Sequence, residues 1–104
     1  MPRPKRCRRV GCCPEGRLFK PQGVPSRELH QVDLGLDELE AVRLVDLEGL
    51  NQAEASSRMK VSQPTLSRIL AQGRRHIAEA IVGGKALRIA EEAEEHIEIM
   101  EDKA

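Results

Sequence analysis

Residues 52–74, QAEASSRMKVSQPTLSRILAQGR, decide the fold. They read as a helix, a tight turn and a second helix. Counted from Gln52, the fourth, eighth, tenth, fifteenth and eighteenth places are Ala55, Met59, Val61, Leu66 and Ile69, and the fifth is the small Ser56. Two short helices that cross steeply share little surface, so those few positions must be apolar and the contact point small. With that side turned inward, the second helix projects its other face. That face carries Gln63, Thr65, Ser67, Arg68 and Gln72, side chains able to hydrogen-bond base edges in a major groove.

The ends of these helices are written in the chain. Asn51 followed by Glu54 is a capping-box pattern. Ser62 stands before Gln63 and Pro64, so its hydroxyl can cap the second helix, where a first-turn proline forfeits no hydrogen bond. Lys60 occupies the turn where glycine is usual, and a positive φ there would strain it by ~1 kcal/mol. Upstream, Asp37 and Glu40 predict another capping box and a helix running to about Glu48, ended by Gly49. Its inward stripe is Leu39, Ala41 or Val42, Leu44 or Val45, and Leu50. The last helix runs from Gln63 to about Val82, with Leu66, Ile69, Leu70, Gly73, Ile77 and Ile81 on one side. Gly73 there invites close approach of another helix, and Gly83-Gly84 stops the helix.

Around this core, residues 1–17 read as a basic, cysteine-containing arm with neither helical nor strand periodicity. Residues 18–89 form the helix-turn-helix domain, and residues 90–104 an acidic extension. Within 18–36 the chain reads as short extended pieces. Val32, Leu34 and Leu36 alternate with polar residues and glycine at a period of two. Leu87 and Ile89 predict a small strand that pairs near Phe19 or near Val32. In the extension, Ala93, Ile97 and Met100 stand at helical spacing, which reads as a frayed tail or a short docking helix. The fold class expected is therefore mainly α, a three-helix domain with short β pieces.

A chain of 104 residues is one domain or one domain plus tails, and is long enough to bury roughly two thirds of its unfolded surface. Phe19 is the only aromatic residue, which argues against modules that stack bases on aromatic platforms. No apolar run approaches a membrane span and no signal-peptide core follows the basic start, so the expected location is cytoplasmic, with no membrane partner. Net charge is zero but blocked: +6 over residues 1–30, −5 over 31–50, +5 over 51–90 and −6 over 91–104. The basic blocks coincide with the arm and the helix-turn-helix, where an anionic duplex would be met.

The stretch FKPQGVP (residues 19–25) together with LDELEAVRLVDLEGLNQAEASSRMKVSQPTLSRILAQGRRHIAEAIVGGKALRI (residues 36–89) closely resembles uncharacterised protein family 0251, also known as domain of unknown function 134. The opening MPRPKRCRRV looks like that family's start. The helix-turn-helix is similar to region 4 of bacterial sigma factors, through Leu39 to Leu50, Glu54, Val61-Ser62, Thr65, Leu66, Ile69, Leu70 and Arg74-Arg75. The resemblance implies a prokaryotic, sequence-specific DNA-binding protein of transcription. Some members of the family stand beside or are fused to domains resembling nitrogenase cofactor biosynthesis proteins, and none is expected within these 104 residues. Departures are Lys60 for the usual glycine, Ser56 for the usual alanine, and the acidic residues after Ile89.

In this reading Arg68 is the first candidate for a base contact, since arginine presents two parallel donors to guanine. Gln63 and Gln72 suit adenine, and Thr65 and Ser67 suit a base or a phosphate. Arg58, Lys60, Arg74 and Arg75 are expected on phosphates, and so are Arg6, Arg8 and Arg9 of the arm. Dimerisation would multiply specificity, through the Gly73–Ile81 face or Ile97–Met100. The alternative is a protein-interaction module that contacts RNA polymerase or another transcription protein. A third reading is a metal or redox sensor built on Cys7, Cys12 and Cys13. Zinc and iron–sulfur sites want four ligands, commonly in pairs two apart, so free thiols and no cofactor are the favoured reading. No glycine-rich phosphate loop or partnered catalytic group occurs, and no enzyme is expected.

Overall fold

The computed structural model describes residues 8–10, 17–89 and 97–99. It is mainly helical. The order is β1 (Arg8–Val10), β2 (Leu18–Phe19), a 3-10 turn at Ser26–Glu28, β3 (Gln31–Leu34), α1 (Leu36–Val42) continued by a π-helical turn at Arg43–Leu47, α2 (Gln52–Met59), α3 (Gln63–Gly83), β4 (Ala86–Ile89) and β5 (Ile97–Ile99).

β3 follows its alternation: Val32 and Leu34 are buried, Gln31 and Asp33 exposed. The two candidate partners of the KALRI strand are both used. β4 lies in the middle of a three-stranded sheet, antiparallel to β2 with Phe19 opposite Leu87, and parallel to β3 with Val32 opposite Leu87. A parallel pair needs a long crossover. Here α1, α2 and α3 together are that crossover, so sheet and helices close on each other.

The helix after β3 starts earlier than its acidic residues predict. Gly35, extended at φ −72° and ψ 156°, is the N-cap rather than Asp37. Glycine offers no capping side chain, so only half a box forms: the Gly35 N–H donates to Glu38 Oε1 at 3.2 Å. Leu36 closes the buried alternation of β3 and opens the helix at once, being 1% exposed. Glu40 does not cap. It is buried and accepts from Arg43 Nε and Nη2, both at 2.8 Å. Beyond Val42 the winding loosens to π, with i→i−5 bonding such as Glu48 N to Arg43 O at 2.9 Å. Of the paired alternatives for the stripe, Ala41 and Leu44 are the buried members, while Val42 and Val45 pack at the margin. Gly49 ends the unit at φ +79° as expected.

α2 and α3 match their reading closely. Asn51 accepts from Glu54 N and Glu54 accepts from Asn51 N, a complete capping box. Ala55, Ser56 and Met59 are buried. Lys60 takes the left-handed conformation, φ 58° and ψ 45°. Lys60 N bonds to Ser57 O and Val61 N to Ser56 O, the paired bonds that close a Schellman end. The same motif ends α3, with Gly84 at φ +64° and Lys85 N bonded to Ala80 O.

Two apolar clusters grip α3 along its length. Leu66, Ile69 and Leu70 meet Ala41, Leu44, Ala55 and Met59 near its start. Ile77 meets Leu34, Leu36 and Ile89 near its end. Between them Gly73 touches α1: a Cβ there would sit 3.1 Å from Glu38 Cβ and from the Glu38 carbonyl oxygen. The close approach expected of this glycine is therefore to α1. One member of the predicted stripe is displaced. Ile81 is 74% exposed, and Ala80 is buried in its stead. At 100° per residue, three steps from Ile77 return nearer the buried meridian than four.

At the chain's margins, β1 and β5 pair in parallel, with Arg9 opposite Glu98. Residues 97–99 are thus a strand, neither frayed nor helical, and the arm expected to lack periodicity contributes one at Arg8–Val10. Mutual backbone pairing supplies what local pattern does not.

Candidate nucleic-acid interface

The site is built on the first half of α3, which the inner cluster holds from one side only. Ser62 caps the helix by accepting from Thr65 N at 3.2 Å. Gln63, Ser67, Arg68, Gln72 and Arg75 are exposed, and Thr65 is half-buried. α2 and the turn add Arg58 and Lys60, both exposed. Arg68, Arg58 and Lys60 form no ion pair among the described residues, so their charge faces solvent.

Thr65 is more occupied than its type suggests. Its Oγ1 accepts from Ser62 Oγ at 2.9 Å and from Arg68 Nη2 at 3.3 Å. Arg74 is engaged elsewhere. Its Nε and Nη2 fork onto Asp46 Oδ2 and Oδ1 at 3.0 and 2.7 Å. The hydrogen bonds from Arg74 hold the Asp46 carboxyl below the ordinary carboxylate range, and the same pairing raises the Arg74 guanidinium. This fork ties the π turn to α3. Asp46 lies 28 positions before its partner, so no local spacing announces the pair. His76 is half-buried and meets Glu38 Oε1 through Nδ1 at 2.8 Å. Just past the end of α3, Lys85 donates back to Glu79 of that helix at 2.8 Å and draws that carboxyl down.

Of the arm, Arg8 and Arg9 fall in β1, where the backbone path is described. Arg6 and the candidate metal ligands Cys7, Cys12 and Cys13 lie outside the described residues. Among the described residues, no three histidine, cysteine, aspartate or glutamate side chains gather as a metal site would require. No helix of the described residues is long and apolar enough to cross a membrane. On the sheet side, away from the cluster at the start of α3, Phe19, Leu39, Ile77, Ile81 and Leu87 line an open apolar groove of about 460 Å³.

The fold and this surface define a small helical domain with a helix-turn-helix and an accessory sheet. The sequence matches the family described as "Protein of unknown function DUF134" over residues 1–98, and the chain belongs to that family. Among similar proteins, a UPF0251 protein of Pelotomaculum thermopropionicum is 52% identical over 89 residues, covering 86% of this chain and 67% of that protein. One from Halothermothrix orenii is 51% identical over 85% of this chain and 65% of its own. One from Moorella thermoacetica is 53% identical over 86% of this chain and 60% of its own. The chain thus spans about two thirds or less of the length of these three relatives. No solved structure matches.

Proposed function

We propose that the protein binds duplex DNA sequence-specifically and regulates transcription, reading the major groove with the first half of α3. The observation that carries this is the exposed row Gln63, Ser67, Arg68, Gln72 and Arg75 on a helix whose opposite side is sealed into the core. Arg68 and the two glutamines supply base-edge donors. Arg58, Lys60 and Arg75 flank them as phosphate contacts that set position but not sequence. Arg74, forked onto Asp46, is a phosphate contact only with that fork opened.

The test is selection of bound fragments from genomic DNA, followed by affinity against salt for the selected duplex. Each phosphate cation contributes to a steep negative slope. Arg68→Ala is expected to reduce preference at the base it reads by ~5–150-fold, with the salt slope reduced by one contact at most. Deleting residues 1–9 removes Arg3, Lys5, Arg6, Arg8 and Arg9 and is expected to flatten the slope; an unchanged slope takes the arm out of the interface.

A second reading is a module that binds RNA polymerase, another transcription protein or a second copy. The observation favouring it is apolar surface away from the basic row: Phe19 is 54% exposed and Val82 86%. Such a module would leave duplex affinity indifferent to Arg68→Ala.

A further inference from the structure

Four arginines among the described residues show two ways of holding a guanidinium. Arg43 forks onto Glu40, Arg74 onto Asp46, and Arg88 meets Asp33 at 3.2 Å. In those three a carboxylate orients the side chain and neutralises it. Arg68 is held differently, through the neutral hydroxyl of Thr65. A hydroxyl orients a cation and leaves its charge for something else.

The donors and acceptors around Thr65 can be followed to the last one. Thr65 N donates to Ser62 Oγ at 3.2 Å. The Ser62 hydroxyl donates to Thr65 Oγ1 at 2.9 Å. Arg68 Nη2 donates to the same oxygen at 3.3 Å. A hydroxyl has one hydrogen and two lone pairs, so both Thr65 lone pairs are taken. Ser62 cannot turn away without giving up the helix cap. Thr65 is half-buried and branched at Cβ, which leaves it few χ1 choices. The acceptor that Arg68 meets is therefore fixed from two sides. Along the exposed face Arg68 has Pro64 and Ala71 one turn away, whose side chains offer no polar atom, and Gln72, while the side-chain hydrogen bond it makes among the described residues is the one to Thr65.

We propose that Thr65 is a positioning residue rather than a base or phosphate contact. It holds Arg68 so that the pair of guanidinium N–H groups left free meets guanine, and this makes guanine the base preferred opposite Arg68. The inference rests on the DNA-reading function proposed above and deepens it. One Nη2 hydrogen goes to Thr65, and four of the five guanidinium N–H groups remain. Guanine offers two acceptors side by side on its major-groove edge. Adenine offers an acceptor beside a donor, and cytosine a donor, so neither takes both arms of the fork. Holding the side chain beforehand removes rotamer freedom that binding would otherwise have to remove.

The experiment uses the full chain and the duplex selected from genomic DNA. Wild type, Thr65→Val, Thr65→Ser, Arg68→Ala and the Thr65→Val/Arg68→Ala double variant are titrated with that duplex. Each is also titrated with a copy carrying 7-deazaguanine at each guanine in turn, which removes one of the two acceptors. Circular dichroism checks that each variant is helical, and Thr65→Ala replaces the valine variant should that one fail to fold. At one guanine, wild type and Thr65→Ser are expected to lose affinity ~10-fold or more on the deaza change. Thr65→Val is expected to lose most of that discrimination with its salt slope unaltered, and the double variant to be no worse than Arg68→Ala alone. Full discrimination in Thr65→Val, or effects that simply multiply in the double variant, overturns the positioning role and leaves DNA binding standing. Wild type that prefers no duplex overturns the DNA reading, and this inference with it.

Discussion

Lys60 is the one non-glycine residue among the described residues with a positive φ. Its Cβ crowds the backbone in that conformation at a cost of ~1–2 kcal/mol, part of which glycine would return through greater freedom in the unfolded chain. Lys60→Gly is expected to raise stability by about 1 kcal/mol, seen as a higher thermal midpoint. The same change removes a cation beside α3. Duplex binding should weaken and its salt slope should drop by about one phosphate contact. A variant that is more stable and binds worse would mean that this residue was kept for its charge, against its backbone preference. Ser62 shows the opposite economy, one hydroxyl acting as cap and as support for Thr65. Ser62→Ala is expected to cost about 1 kcal/mol in urea unfolding, the usual loss for an N-cap.

Among the elements, α1 and α3 depend on each other at Gly73. Alanine there would gain about 1 kcal/mol of helix propensity. Its Cβ would also press on Glu38 Cβ, the Glu38 carbonyl oxygen and Val42 Cγ2, at 3.1, 3.1 and 3.2 Å. The carbonyl belongs to a packed helix backbone and cannot swing aside. Gly73→Ala is therefore expected to be net destabilising, by about 1–2 kcal/mol, measured by chemical denaturation. The π turn is tied to α3 by Asp46 and Arg74, whose side chains are 39% and 51% exposed. An exposed pair contributes only ~0–1 kcal/mol. Because the Asp46 carboxyl is lowered in the fold, its contribution is complete above the ordinary carboxylate pKa of 3.8 and is lost as pH falls through the lower folded value. The stability gap between wild type and Asp46→Asn should accordingly be present at neutral pH and close in acid, below about pH 4. The same variant releases Arg74 and removes an anion, so it is expected to tighten duplex binding at low salt.

For the whole molecule, the decisive arrangement is that α3 is gripped at both halves. Leu70 is 1% exposed within the inner cluster. Leu70→Ala is expected to cost about 2–5 kcal/mol, a large share of the ~5–15 kcal/mol typical of a domain. Sheet and helices should melt together, because β3 and β4 can pair only across the folded crossover. A lower, single transition seen by both circular dichroism and amide exchange of β4 checks this. Two separate transitions would show that the sheet stands without the helices.

The periodic elements could be read directly from the chain. The places of Ala55, Met59, Leu66 and Ile69, the caps at Asn51 and Ser62, and the stops at Gly49 and Gly84 act within three or four residues of themselves. Local backbone bonding is enough to specify them. The exposure of Gln63, Ser67, Arg68 and Gln72 followed from the same period. What local pattern could not choose were the long-range partners: whether β4 meets β2, β3 or both, that Asp46 claims Arg74, that Glu40 is buried with Arg43 and does not cap, and that Ala80 turns inward where Ile81 was expected. The reason is the range of the forces. A cap or an amphipathic stripe depends on neighbours along the chain, whereas a strand partner or an ion pair depends on which distant surfaces the closed fold brings within about 3 Å.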